Sequence, residues 1–122
     1  RADSGLGVNR ELQAARGQTS GPAMVLHSDL PLLAVADVET LVARAGVGGL
    51  AIAPDRLVTG TNAIAIADGR TFDFAFGAGS FRLHRERAGP GWRLAATPGL
   101  AVDVDTPEDL ALAVARGFCP AF

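Results

Sequence analysis

Three aspartates stand where an α/β protein presents groups to a ligand. Asp29 lies in VLHSDLPLL, where an apolar run that reads as a buried strand ends beside a Pro turn, and Asp103 and Asp105 lie in LAVDVDTPEDL. Residues two apart on a strand project to the same face, so Asp103 and Asp105 are expected side by side. If the strand leading to Asp29 runs beside theirs, three carboxylates meet at one sheet edge, where like charges repel unless a cation intervenes. Hard oxygen donors of this kind suit Mg2+, which takes one or two protein carboxylates and fills its shell with water and phosphate oxygens. The same residues also have a purely structural reading. Asp29 shapes the DLP turn, Asp103 ends its strand, and Asp105 helps Thr106 to cap the next helix.

A second set of groups could hold an anion. GTN at residues 60–62 and FGAGS at residues 76–80 bring glycines that let backbone approach a ligand, and Ser80 is expected as the N-cap of a helix whose first N–H groups favour negative charge. Ser80, His84 and Arg87 follow at spacings of four and three, so one helix face offers a hydroxyl, an imidazole and a guanidinium. The alternative is plain: Gly77 and Gly79 turn the chain, and His84 is a solvated helix residue.

The elements that must position these groups are legible from periodicity. Val8–Arg16 reads as a short helix stopped by Gly17, AMVLH as a short strand, and VADVETLVARAG as an amphipathic helix with Val38, Leu41, Val42 and Ala45 on one face. Strands follow at Leu50–Ala53 and Ala63–Ala67, the second closed by Asp68 and Gly69. FDFAFGAGS runs through alternating phenylalanines into a glycine-rich loop, SFRLHRERAG is helical, GPGWRLAATPG holds a strand, and LAVDVD is a strand leading into a helix from Thr106 to Gly117. Helices alternating with short apolar strands indicate a layered α/β sheet.

Composition excludes several functions. The chain of 122 residues amounts to a single domain. Its arginines are scattered and its formal net charge is −2, which leaves no electrostatic footprint for nucleic acid. Apolar runs fall well short of the roughly 20 residues that cross a bilayer. Cys119 is the single cysteine, which excludes an internal disulfide and fits a reducing cytoplasm. Lysine is absent, and the chain opens RADSGLG without Met, as a piece of something longer would.

SDLPLL, then GTNAIAI with FGAGSFRLH, then PGLAVDVDTPEDL resemble, in that order, the guanylyltransferases of coenzyme F420 biosynthesis, the 2-phospho-L-lactate or phosphoenolpyruvate guanylyltransferase family. The resemblance runs from about Gly7 to Asp109, and GTN followed by FGxGSxxxH is its most specific part. It implies a Rossmann-like nucleotidyltransferase sheet of the glycosyltransferase-A type with helices on both faces. It further implies transfer of GMP from GTP to the phosphate of a three-carbon acid, with release of pyrophosphate. Asp29, Asp103 and Asp105 would then hold Mg2+, and Thr61, Gly77 and Ser80 would bind the acceptor. Asn9, where this chain has GVN in place of a GLN-like segment, would stand near the nucleotide. Members of that family begin with a strand, a basic loop and a helix that grip the nucleotide phosphates, and the N-terminal nucleotide-binding part is expected to be missing here.

Two other readings compete. A related nucleotidyltransferase would use another nucleotide or an acceptor such as 3-phosphoglycerate or molybdopterin. A noncatalytic domain would keep the acceptor cradle without the nucleotide half.

Overall fold

A computed structural model describes residues 6–18 and 21–103. Asp105, Cys119 and the helix expected over 106–117 lie outside the described residues.

Two adjacent strands form the centre, and their sequences explain the layers. In β2 (Leu50–Pro54) and β3 (Thr61–Ile66), alanine alternates with larger aliphatic residues, and the antiparallel register sets Ala51 opposite Ala65 and Ile52 opposite Ile64. Successive strand side chains point to opposite faces, so one face is lined by alanine and the other by Leu50, Ile52, Ile64 and Ile66. The alanines leave room for a helix to lie close. Leu41 and Ala45 of α2 (Val35–Gly48) are buried there, together with Leu100 of α4 (Pro98–Ala101). Phe72, Phe74 and Phe81 cover the larger aliphatics on the other face; Phe81 comes from α3 (Ser80–Ala88), and α1 (Leu6–Gly17) adds Leu12. Helices thus pack on both faces of a layered α/β sheet.

β1 (Ala23–Leu26) pairs antiparallel with β3, and β4 (Arg93–Leu94) pairs parallel with β2, giving a mixed four-stranded sheet in the order β1-β3-β2-β4. GPGWRLAATPG contributes its expected strand, two residues long. Two expectations need correction. β1 is a half-exposed edge strand rather than a buried one, and it ends at Leu26, before Asp29. LAVDVD is not a strand where the structure describes it: Thr97 accepts a hydrogen bond from Leu100 N–H, Pro98 takes the first turn, and a short helix forms instead. Asp103 therefore follows a helical turn.

One long seam fixes the segment that leads to the glycine-rich loop. Residues 71–76 form no regular strand, yet Phe72 and Phe74 are buried while Thr71 and Asp73 are exposed. Buried backbone needs partners, and α1 supplies them from side chains. Asn9 donates to Phe76 O at 3.0 Å and accepts from Phe76 N–H at 2.8 Å. Gln13 donates to Phe72 O and accepts from Phe74 N–H at 2.9 Å. Arg16 forks onto Asp68 O and Arg70 O, each at 2.8 Å. Spacings of four and three put these three side chains on one helix face, so the helix acts as the neighbouring strand that the segment lacks.

Candidate functional site

The first turn of β3 departs from simple alternation. Ala53 pairs with Ala63 but Pro54 pairs with Thr61, so Asn62 is an extra residue bulged out of the ladder with β2. A bulge re-aims side chains, and here it turns Thr61 away from the alanine face and toward α3. Thr61 Oγ1 lies 2.8 Å from His84 Nδ1 and accepts a hydrogen bond from Ser80 Oγ at 3.1 Å. His84 Nε2 in turn accepts the Ala75 N–H at 2.9 Å. Thr61, Ser80 and His84 are all buried. His84 sits edge-on to Phe76, with ring centroids 4.8 Å apart. It is therefore a core residue and not a solvated one.

The protonation of His84 follows from its partners. An amide N–H can only donate, so Nε2 carries no proton, and the neutral imidazole holds its hydrogen on Nδ1 and donates it to Thr61. Burial, with the Arg87 charge adding to it and Asp73 opposing, pushes the His84 pKa down from 6.5 to about 4. Because the folded pKa lies below the unfolded one, the stabilisation is complete above about pH 6.5 and is lost as pH falls through about 4. Stability measured by urea unfolding should therefore drop by about 2 to 3 kcal/mol between pH 7 and pH 4.5 from this residue alone. His84→Asn should flatten that part of the profile.

Ser80 is not the N-cap. Gly79 takes that position in the left-handed region, at φ 69°, and Ser80 is the first helical residue with its hydroxyl turned inward. A side chain at Gly79 would strain the backbone, which is why the loop needs glycine there. The expected free helix N-terminus is also partly used: Ser80 N–H bonds Gly77 O at 3.2 Å, and Phe81 N–H bonds Thr59 O at 3.1 Å. Arg87 does not join Ser80 and His84, because its guanidinium reaches back to the Asp73 carbonyl at 3.2 Å and carboxylate at 3.4 Å.

Sequence reasoning missed the residue that shapes the loop before GTN. Asp55 gathers the Leu57, Thr59 and Gly60 N–H groups on its carboxylate at 3.0 to 3.2 Å. A Cβ on Gly60 would lie 2.8 Å from that carboxylate, so the close approach requires glycine. The signal was an Asp directly after a strand-ending Pro, followed by a Gly five residues on.

Asn62 links the carboxylate-bearing segments. Its carbonyl accepts the His27 N–H at 2.8 Å, two residues before Asp29. Its side-chain amide donates to Leu100 O at 2.9 Å and Ala101 O at 3.2 Å and lies 3.5 Å from Asp103 Oδ1. Asp29 is about half exposed, with His27 Nδ1 4.0 Å from its carboxylate. Both segments are thus tied to one residue at the start of β3. Among the described residues no group of three His, Cys, Asp or Glu side chains is arranged to hold a metal. Gly77, at φ 134°, turns the chain two residues before the cap. Asn9 spends both ends of its amide on Phe76, at the entrance to the glycine-rich loop.

Comparison with known proteins places the chain in a family. The family described as "Guanylyl transferase CofC like" matches residues 3–117. The chain belongs to this CofC-like family. Among its relatives, the phosphoenolpyruvate guanylyltransferase of Rubrobacter xylanophilus is 39% identical over 121 residues, covering 93% of this chain and 59% of the relative. That of Sphaerobacter thermophilus is 37% identical, covering 87% of this chain and 55% of the relative, and that of Streptomyces coelicolor is 36% identical, covering 89% and 50%. The chain thus spans little more than half the length of the curated relatives it matches. The matched range includes the GTN and FGAGS segments, whose side chains meet at Thr61 and Ser80. No helix among the described residues is long and apolar enough to cross a membrane.

Proposed function

We propose that this chain carries the acceptor-binding part of a cytoplasmic guanylyltransferase of coenzyme F420 biosynthesis. The enzyme transfers GMP from GTP to a phosphorylated three-carbon acid, phosphoenolpyruvate or 2-phospho-L-lactate, and releases pyrophosphate. The observation that carries the reading is the meeting of GTN and FGAGS: Thr61 and Ser80 are bonded across the turn of the fold, while neighbouring Asn62 gathers the segments of Asp29 and Asp103. Names of the relatives supply the reaction class and one of the two acceptors. In the full-length domain we read the sheet as part of a Rossmann-like one.

In this reading Thr61, Gly77 and Ser80 hold the acceptor, and Asn9 and Gln13 fix the approach to that loop through the Phe72–Phe76 backbone. Asp29 and Asp103, with Asp105, would be the donor set for Mg2+, one or two of these carboxylates sufficing beside water and phosphate oxygens. When bound, the ion supplies neutralisation of the phosphate charge that would otherwise keep two anionic substrates apart. The chain's own contribution is orientation, a rigid cradle that aligns the acceptor phosphate for direct attack with no covalent intermediate on the protein.

The full-length protein, incubated with GTP, Mg2+ and either acid, should release pyrophosphate and yield a guanylylated product visible by mass spectrometry. Absence of turnover with both acids overturns the reading.

A further inference from the structure

The bulge that turns Thr61 toward α3 sends its neighbour the other way. Asn62 is 1% exposed, and its side-chain amide meets the end of α4, donating to Leu100 O at 2.9 Å and Ala101 O at 3.2 Å. These are the last carbonyls of a four-residue helix, and a helix end has no partners of its own for such groups. Ala101 O has a second donor in the Arg56 N–H at 2.9 Å. With α4 stopped there, Val102 continues in a buried, extended conformation. The next residue brings its carboxylate back beside the same amide, with Asp103 Oδ1 3.5 Å from Asn62 Nδ2. α4 also sits directly on the segment that follows Asp29. A Cβ on Gly99 would lie 2.9 Å from Leu32 O and run into the Asp37 carboxylate. The end of α4 is thus set against both the start of β3 and the DLPLL segment.

We propose that Asn62 is a positioning residue for the metal carboxylate Asp103. It ends α4 where Asp103 must emerge and sets a fixed N–H beside that carboxylate, so the carboxylate is oriented before any ion arrives. This rests on the Mg2+ reading given above. It goes beyond that reading by naming a buried residue that acts on the ion only through another side chain. The amide suits the task, because it donates to two carbonyls and faces a carboxylate without adding a positive charge that would compete with the cation. Groups that hydrogen-bond a metal-binding carboxylate contribute roughly ten- to a hundredfold to metal affinity or activity.

The test uses the full-length protein, with Mn2+ in place of Mg2+ so that the unbound ion can be counted by electron paramagnetic resonance. Asn62→Leu roughly keeps the volume and removes the donor. It should weaken Mn2+ binding roughly tenfold or more, and the Mg2+ concentration for half-maximal turnover should rise in step. The decisive measurement is the cycle with Asp103→Ala. Adding Asn62→Leu to Asp103→Ala should weaken Mn2+ by no more than about twofold further, because the group being positioned has already gone. Equal Mn2+ affinity in wild type and folded Asn62→Leu, or the same loss in both backgrounds, assigns Asn62 to packing and overturns the inference alone. If wild type and Asp103→Ala take up Mn2+ equally, the donor-set reading falls and this inference falls with it. Should Asn62→Leu fail to fold, Asn62→Ser, whose donor is too short to reach all three oxygens, goes through the same cycle. It should give a smaller loss that likewise disappears with Asp103; wild-type affinity or an additive loss there overturns the inference.

Discussion

Asp103→Asn in the full-length protein is expected to lower kcat about a thousandfold or more, the effect of removing several kcal/mol of charge stabilisation from the reacting phosphates. The change replaces a carboxylate by an amide of nearly the same size. Asn62 holds this end of the sheet through the Leu100 and Ala101 carbonyls at 2.9 and 3.2 Å, and its 3.5 Å approach to Asp103 can be met by the asparagine oxygen. Thermal unfolding should therefore shift by about 1 kcal/mol or less, far below the effect on turnover, since Asp103 is only partly buried. Pyrophosphate release and circular dichroism melts on the same samples separate the outcomes. Turnover near the wild-type rate would remove Asp103 from the metal set, and a large loss of stability would make it a structural residue.

The largest effect on stability is expected from Arg16→Ala. Arg16 is buried, and its guanidinium serves three carbonyls: Gly21 O at 2.6 Å, Asp68 O at 2.8 Å and Arg70 O at 3.1 and 2.8 Å. The turn that presents two of them is itself rigid, because Arg70 forks back onto the Asp68 carboxylate at 2.9 to 3.2 Å, which holds that carboxyl below its usual range. Removing Arg16 strips charged hydrogen bonds from carbonyls that the fold keeps in place, at about 1 to 3 kcal/mol for each group left without a partner. A total of roughly 3 to 5 kcal/mol is expected in urea unfolding, allowing for water that enters the gap. Arg16→Lys should recover little, since an ammonium is a point donor and the carbonyls are spread around a planar fork. Loss of this anchor should also loosen the Asn9 and Gln13 seam along residues 72–76 and weaken acceptor binding. Wild-type stability in Arg16→Ala would mean that the seam is dispensable.

The sequence by itself determined the central elements, because their information is local. The Ala/Ile alternation of LAIAP and NAIAI dictates a strand pair with one small-residue face and one large, and Leu41 and Ala45 at helical spacing supply the matching stripe. GTN and FGAGS stood out in the sequence by glycine and hydroxyl content, and the i, i+4 spacing already put Ser80 and His84 on one face. The tertiary structure decided what alternation cannot encode. The bulge at Asn62 comes from register between two strands, and it turned Thr61 to the face opposite the one parity assigns. Burial of His84 depends on Phe72 and Phe76, a dozen and eight residues before it, and its tautomer depends on an amide that only the folded loop brings within 2.9 Å. Ser80 lost the cap to Gly79 because its hydroxyl gained a buried partner across the sheet, a contact stronger than capping in a water-free setting. Arg16 and Gln13 left no mark in the sequence, since each serves backbone groups whose positions are fixed by other parts of the chain. Side-chain types and their spacing are written locally; the orphan backbone groups they must satisfy exist only once distant segments have packed.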